Sequence, residues 1–291
     1  MPETKYKLDL YKKPIWKFVN ASDYARNNFL YIQESGHYCA GKDYFTERSG
    51  LDSYLIKATV LGKGILEYCG KKYEMIPQTV MFIDCRNDQN YHTDAAAGKW
   101  EMLWVHFNGN GIKPYYEKFL EKNNGSNVAV LPDVSMVYEI IDNIITVSDH
   151  YTKDHDSEIV ADNLLHSLLS ECIMKSGPAL SSASDFIKRS AYYLRRHYNE
   201  EIDLDLLAKE FNVSKYHLQR TFKQAFGVSP AKYLTNIRIN RAKQLLRGTA
   251  LSVNEISEQI GMEPSYFIQL FKSFENETPG HYRSKWSGNP K

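Results

Sequence analysis

The chain has 291 residues, 43% of them hydrophobic and 24% charged, and its formal net charge is +1. That length allows two domains that each bury a core, and the composition is ordinary for a soluble protein. No apolar run is long enough to span a bilayer, which excludes a membrane helix.

The charge is unevenly placed. Residues 1–184 carry 19 Lys+Arg against 24 Asp+Glu, a balance of −5, and residues 185–291 carry 17 against 11, a balance of +6. An acidic front and a basic back are expected when only the back meets phosphate. Cys39, Cys69, Cys85 and Cys172 have no metal-ligand spacing and read as free, buried thiols of a reducing compartment. The N-terminus lacks the apolar segment of a secretion signal, so a cytoplasmic location is expected.

In chain order, residues 1–20 form a polar, Lys/Tyr-rich arm with no predicted element. Short strand-like runs follow at 54–61, 65–69, 72–76, 79–84 and 100–107, separated by Gly, Asn, Asp and Pro-Gln turns. Strands at this spacing predict a β-sandwich or barrel. The periodicity then changes. Val137, Ile140, Ile144 and Val147 recur at helical spacing, as do Leu164, Leu165, Leu168, Leu169, Cys172 and Ile173. This predicts two amphipathic helices joined by a polar stretch at 149–158, too apolar for a free surface pair. They pack on the front domain or self-associate. Residues 177–184 are small and Pro/Ser-containing and read as a linker.

From residue 185 the chain is predicted helical and repeats itself at a distance of 49 residues. Leu207, Phe211, Leu218, Phe222-Lys223, Ser229-Pro230 and Tyr233 return as Ile256, Ile260, Phe267, Phe271-Lys272, Thr278-Pro279 and Tyr282. A duplicated unit of this kind predicts tandem helix-turn-helix modules. In the first, Asn212 can take the left-handed conformation that ends a helix, and Ser214 is a good N-cap for the next. Leu218, Phe222 and Ala225 then face the core. Tyr216, Gln219, Arg220 and Lys223 share the opposite arc, with Lys215 beside them. These types can read base edges and hold phosphate. Pro230 starts a helix to about residue 247 that would fix the separation of the modules; Arg238, Arg241 and Lys243 on it read mostly as surface charges. In the second module Phe267, Phe271 and Phe274 face inward, while Ser265, Ile268, Gln269 and Lys272 face outward. Glu263 stands in for Ser214 as a poorer N-cap, helped by Pro264.

Residues 185–285 resemble the double helix-turn-helix domain of the AraC/XylS family of bacterial transcription regulators. The resemblance is carried by Ser214-Lys-Tyr-His-Leu-Gln-Arg-Thr-Phe-Lys223, Gly227-Val-Ser-Pro230, Tyr233-Leu234, Arg238-Ile239 and Ala242. In the second half it is carried by Ser252-Val-Asn-Glu-Ile256, Gly261, Ser265-Tyr-Phe267, Phe271-Lys272, Thr278-Pro279 and Tyr282-Arg283. Three departures fall in the second module. Gly261 to Phe267 is one residue shorter than the family's pattern, Gln269 replaces an Arg, and Asn276 replaces a Gly. The first module is therefore expected to carry most of the direct readout, and the second to lean on phosphate and DNA shape.

The resemblance extends to the front. Tyr54-Leu55, Gly62-Lys-Gly64, the Gly70 turn, His92 and Trp104-Val-His-Phe-Asn-Gly109 are similar to the family's small effector-binding cupin barrel, with Gln78 where a Gly is common. The implied architecture is multidomain α+β: a cupin-like β-barrel with two dimerisation helices at 1–176, a linker at 177–184, and an all-α double helix-turn-helix domain at 185–291. By likeness to sugar-responsive members, Arg48, His92 and Trp100 are candidate effector contacts, and Tyr44 is added by proximity to Arg48. Arg48 is expected before the first barrel strand, His92 after a loop, and Trp100 at the start of the last strand. The implied partners are an operator in double-stranded DNA, a small-molecule effector, a second copy and RNA polymerase. No catalytic residue, cofactor or metal site is expected. His-x-His is absent, His37, His92 and His106 are far apart, and there is no phosphate loop or nucleophile motif. Two alternatives stay open at this point: a cupin-type enzyme joined to a DNA anchor, and a DNA-binding regulator without a small ligand.

Overall fold

The computed structural model describes residues 4–152, 155–176 and 185–286. The chain forms two compact units, Met1–Asp185 and Phe186–Lys291. The linker expected at 177–184 lies outside the described residues.

The first unit holds two antiparallel sheets. One has the order β1 (Thr4–Lys7), β4 (Phe45–Arg48), β9 (Gln89–Thr93), β6 (Gly64–Tyr68), β7 (Lys71–Met75). The other has the order β11 (Val128–Val130), β8 (Thr79–Asp84), β5 (Tyr54–Gly62), β10 (Trp100–Gly109), β3 (Leu30–Ala40), β2 (Ile15–Phe18). Alternation sends Leu55, Tyr38, Met102 and Trp104 of the larger sheet and Leu66, Tyr68 and Tyr91 of the smaller into one apolar cluster. The opposite face of the larger sheet is covered by helices, which is why β5 and β10 are buried on both faces. Among these are α1 (Asp23–Asn28), α2 (Ile112–Lys122), α3 (Ser135–Asp149) and α4 (His155–Lys175). Val137, Ile141 and Ile144 of α3 and Leu165, Leu168 and Leu169 of α4 are buried, so the two apolar helices pack within this unit.

Several expectations are corrected. The arm is ordered from residue 4, because β1 pairs with β4 and β2 pairs with β3. The strands β3, β4, β9 and β11 carried no alternation clear enough to predict. Arg48 ends a strand rather than preceding the first, and His92 lies inside β9 rather than after a loop. Cys69 is exposed at a turn, whereas Cys39, Cys85 and Cys172 are buried. Gln78 has a φ of 78°. Pro77 precedes it, and the Thr79 N–H donates to Ile76 O at 2.9 Å, the pattern of a type II turn whose third residue favours Gly.

The second unit is all helical: α5 (Asp185–Arg196), α6 (Leu204–Glu210), α7 (Lys215–Phe226), α8 (Pro230–Gly248), α9 (Val253–Gln259), α10 (Pro264–Glu275) and α11 (Pro279–Trp286). It has two cores. Phe186, Leu194, Leu207, Ala208, Leu218 and Phe222 build the first, and Ile239, Leu246, Ile256, Ile260, Phe267 and Phe271 the second. With 19 residues, α8 spans both over about 28 Å.

Candidate nucleic-acid interface and inter-sheet cavity

The two modules of the second unit are built alike, position by position. Phe222 packs edge-on to Tyr233 at 5.3 Å between ring centroids, and Phe271 packs edge-on to Tyr282 at 5.4 Å. Asn212 and Gly261 hold the turn between helices at φ of 55° and 67°, and Gly227 and Asn276 end α7 and α10 at 74° and 59°. Ser214 Oγ accepts the His217 N–H at 3.1 Å. Glu263 fills the equivalent place, its Oε2 accepting the Tyr266 N–H at 2.8 Å, with Pro264 opening the helix. The longer carboxylate side chain therefore caps α10 as the shorter serine caps α7.

On α7, Leu218 and Phe222 are fully buried, and Lys215, Tyr216, Arg220 and Lys223 are exposed, Tyr216 at 72%. Gln219 is half-buried, and Ala225, expected inside, is exposed. The Lys215 ammonium is held by Asp205 Oδ2 of α6 at 2.7 Å, which raises its pKa and ties the start of the reading helix to its neighbour. On α10 the equivalents are Ser265, Ile268, Gln269 and Lys272, all exposed. Arg220 is thus answered by Gln269 and Gln219 by Ile268, so at these four paired positions the second helix offers one cation where the first offers two. Phe274 is only half-buried and lies under the Lys232 ammonium, 3.9 Å from its ring centroid.

Arg238 was read as a surface charge. Instead its Nε and Nη2 donate to the carbonyls of Tyr198 and Glu200, each at 2.6 Å, binding α8 to the loop between α5 and α6. An arginine flanked by apolar residues on a helix gives no sequence signal for such a role. Arg241 bonds locally, to Gln244 at 3.0 Å, whereas part-buried Lys243 ties α8 to α10 through Glu275 at 2.9 Å.

In the first unit a cavity of about 50 Å³ lies between the sheets. Tyr44, Thr46 and Arg48 reach it from β4 and its lead-in, Leu55 and Lys57 from β5, Tyr91 from β9, and Trp104 and His106 from β10. Tyr6, Leu8 and Trp16 of the arm close it with Glu34 and Tyr38 of β3. Of the four candidates, Tyr44 and Arg48 line this cavity. His92 does not; its Nδ1 lies 3.0 Å from Thr93 O. Trp100 is a buried wall behind it, its Nε1 donating to Thr59 Oγ1 at 3.0 Å. Lys57 and Tyr91 were not singled out, and Trp104 and His106 were named for the barrel resemblance and not as effector contacts. The one signal for Lys57 was a lysine set in the apolar run of β5.

His106 is buried in a directed hydrogen-bond chain. Arg48 Nη1 donates to His106 Nε2 at 3.2 Å, leaving Nδ1–H to donate to Ser53 Oγ at 3.0 Å, and Ser53 Oγ donates to Tyr54 O. Burial first, then the Arg48 and Lys57 charges, hold the imidazole well below its ordinary value of about 6.5, so it stays neutral in the fold. Below pH of about 6.5 the unfolded chain takes a proton that folded His106 refuses, so acid costs stability. Its contribution to the slope approaches about 1.4 kcal/mol per pH unit. Melting temperature is expected to fall from pH 7.5 to 5.5, and less steeply in His106→Gln. Equal slopes in the two proteins would place the acid sensitivity elsewhere.

Residues 207–285 match a family model described as a helix-turn-helix domain. A lactose operon transcription activator of Staphylococcus xylosus is 26% identical over 79% of this chain and 83% of its own length. The arabinose operon regulatory protein of Escherichia coli K12 is 24% identical over 83% of this chain and 84% of its own. The helix-turn-helix domain is of the AraC type, and over most of its length the chain is similar to operon regulators of the AraC/XylS family. Among solved structures, the C-terminal domain of AraT, a response regulator from Geobacillus stearothermophilus, is 32% identical over 37% of this chain and 88% of that chain, with a TM-score of 0.34. The relatives that span most of the AraC/XylS-type chain are operon regulators rather than enzymes, and this chain is a DNA-binding transcription regulator. No described helix is long and apolar enough to cross a membrane.

Proposed function

We propose that this regulator is a cytoplasmic, effector-responsive activator of a carbohydrate-utilisation operon. Residues 1–176 act as a cupin-type effector-binding and dimerisation domain, 177–184 as a linker, and 185–291 as the DNA-binding domain. The observation that carries the effector reading is the inter-sheet cavity, where aromatic faces surround a few aimed polar groups. Two of the regulators that span most of the chain are named for lactose and arabinose operons, which supports a sugar-like effector.

Arg220, Gln219 and Tyr216 read bases, with Lys215, Lys223 and Lys272 on phosphate and Ser265, Ile268 and Gln269 as a weaker second reader. A homodimer formed through α3 and α4 presents two such domains to paired half-sites. Exposed Met136, Ile159, Val160 and Met174 on these helices support that use. Effector binding shifts how the pair sits on its operator, and the occupied operator recruits RNA polymerase. The test is a reporter driven by the promoter this protein binds, with sugars and sugar derivatives supplied in turn. Output is expected to rise with one of them, and to lose that response in Tyr91→Ala. Constant output across the set, with DNA still bound, would leave a regulator without a small ligand.

A further inference from the structure

The cavity has an uneven supply of hydrogen-bonding groups. Lys57 is only 2% exposed and stands in a box of rings, its ammonium 3.8 Å from the Tyr91 centroid, 5.1 Å from Trp100 and 5.8 Å from Tyr44. Arg48 approaches from the opposite sheet, one amino group on His106 and its buried Nε without a partner. Trp104 Nε1, also on the lining, is buried and unpartnered. All three are donors, and two belong to basic side chains that a bound anion would hold in the charged form. The only carboxylate on the lining, Glu34, receives Trp16 Nε1 at 3.0 Å on the arm side, and neither Lys57 nor Arg48 forms an ion pair among the described residues. Rings can hold an ammonium by their negative faces, but they leave two like charges facing one space. A buried cation pair of this kind calls for an anion.

Arg48 also lines an open cleft of about 860 Å³ on the outer side of the smaller sheet. Its lining is mixed, with Lys5, Lys71 and Lys72 beside Glu47, Glu67 and Asp88. Gln89 Oε1 and Asn90 Oδ1, both on that cleft, are buried acceptors without a donor. By size, the inner cavity of about 50 Å³ takes about three to five water-sized atoms, enough for an acid group and not for a sugar ring.

We propose that this regulator responds to an acidic ligand, a sugar acid or sugar phosphate, whose carboxylate or phosphate group seats between Arg48 and Lys57 while the rest of the molecule extends toward the cleft that Arg48 also lines. The proposal rests on the effector reading given above and narrows it to a charge class. Burial and the Arg48 charge hold the Lys57 ammonium well below the usual lysine range, a tension that a bound anion relieves.

The test is calorimetric titration of the full-length protein with gluconate, glucuronate, galacturonate, glucose 6-phosphate and galactose 6-phosphate, alongside neutral glucose, galactose, arabinose and lactose. At least one acidic compound is expected to bind at least 30-fold more tightly than its neutral parent. Lys57→Met is expected to weaken it about 10- to 100-fold, the range of a lost charge-assisted bond. Removing a buried cation leaves a packed apolar side chain, and the melting temperature of ligand-free Lys57→Met checks that the variant folds. If it does not fold, the acid-to-neutral ratio on the wild-type chain decides alone. A neutral sugar binding as tightly as its acid overturns the proposal and leaves the effector reading intact. No binding by any compound overturns both. Among the acids, the carboxylates and phosphates separate the two sources of charge.

Discussion

Replacing Arg220 with alanine is expected to weaken binding to this regulator's preferred DNA about 10- to 100-fold, the range of one lost bidentate base contact. The exposed outer arc of α7 places Arg220 beside Gln219 and one turn from Lys223, over a core fixed by Leu218 and Phe222. Sites selected from random DNA, then titrated at one salt concentration, give the measurement. Specificity should relax at one position of the site in Arg220→Ala. Lys223→Ala should instead weaken all sequences alike and flatten the salt dependence by about one unit. Gln269→Ala should cost less than Arg220→Ala, because α10 offers only one cation. Were the Gln269 variant the more damaging, the roles of the two modules would be reversed.

The second large effect is structural. Gly261→Ala is expected to cost about 2–4 kcal/mol in urea unfolding of the full-length protein followed by helical circular dichroism. Gly261 has a φ of 67°, and a Cβ there would stand 2.3 Å from Asn199 O and 2.5 Å from its carbonyl carbon. The obstacle is backbone, held in place by Arg238 on the flanking carbonyls of Tyr198 and Glu200. Gly227 provides the control. Its φ is 74°, yet nothing lies within 4 Å of the added Cβ, so Gly227→Ala should cost only about 1 kcal/mol of backbone strain. Equal losses in the two variants would show that the contact with Asn199 contributes nothing.

The helical half of this fold was legible because its signals are local. Ser214, Ser229, Asn212 and Gly261 do in the structure what caps and left-handed turns require, and the four-residue spacing of Leu207 with Phe211 and of Leu218 with Phe222 marks their burial. The sheets were harder. In β3 the alternation fails because the strand is covered on both sides, and it buries Ser35 and His37 besides apolar residues. In β9 only five residues carry the pattern, two of them Gln and Asn. The cavity was the least legible part. Arg48, Lys57 and His106 come from three strands of two sheets, and nothing in linear spacing says that they meet. Trp100 and His92 were named by family likeness; Trp100 stands behind the cavity, its ring 5.1 Å from the Lys57 ammonium, and His92 is not on the lining.

The exchange of Asn and Gly between the modules bears on how such a protein changes over generations. At the inter-helix turn the first copy uses Asn212 and the second Gly261; at the helix end the first uses Gly227 and the second Asn276. Each position holds one of the two residue types that tolerate that backbone, although at Gly261 the Asn199 carbonyl leaves no room for a Cβ. The outward positions of α10 have no such constraint, since nothing in the core depends on Ser265, Ile268 or Gln269. A gene with this design can rewrite one reading surface while the other keeps the protein seated on its old operator. New regulatory targets then become reachable without an ancestor that is unfolded or unable to bind.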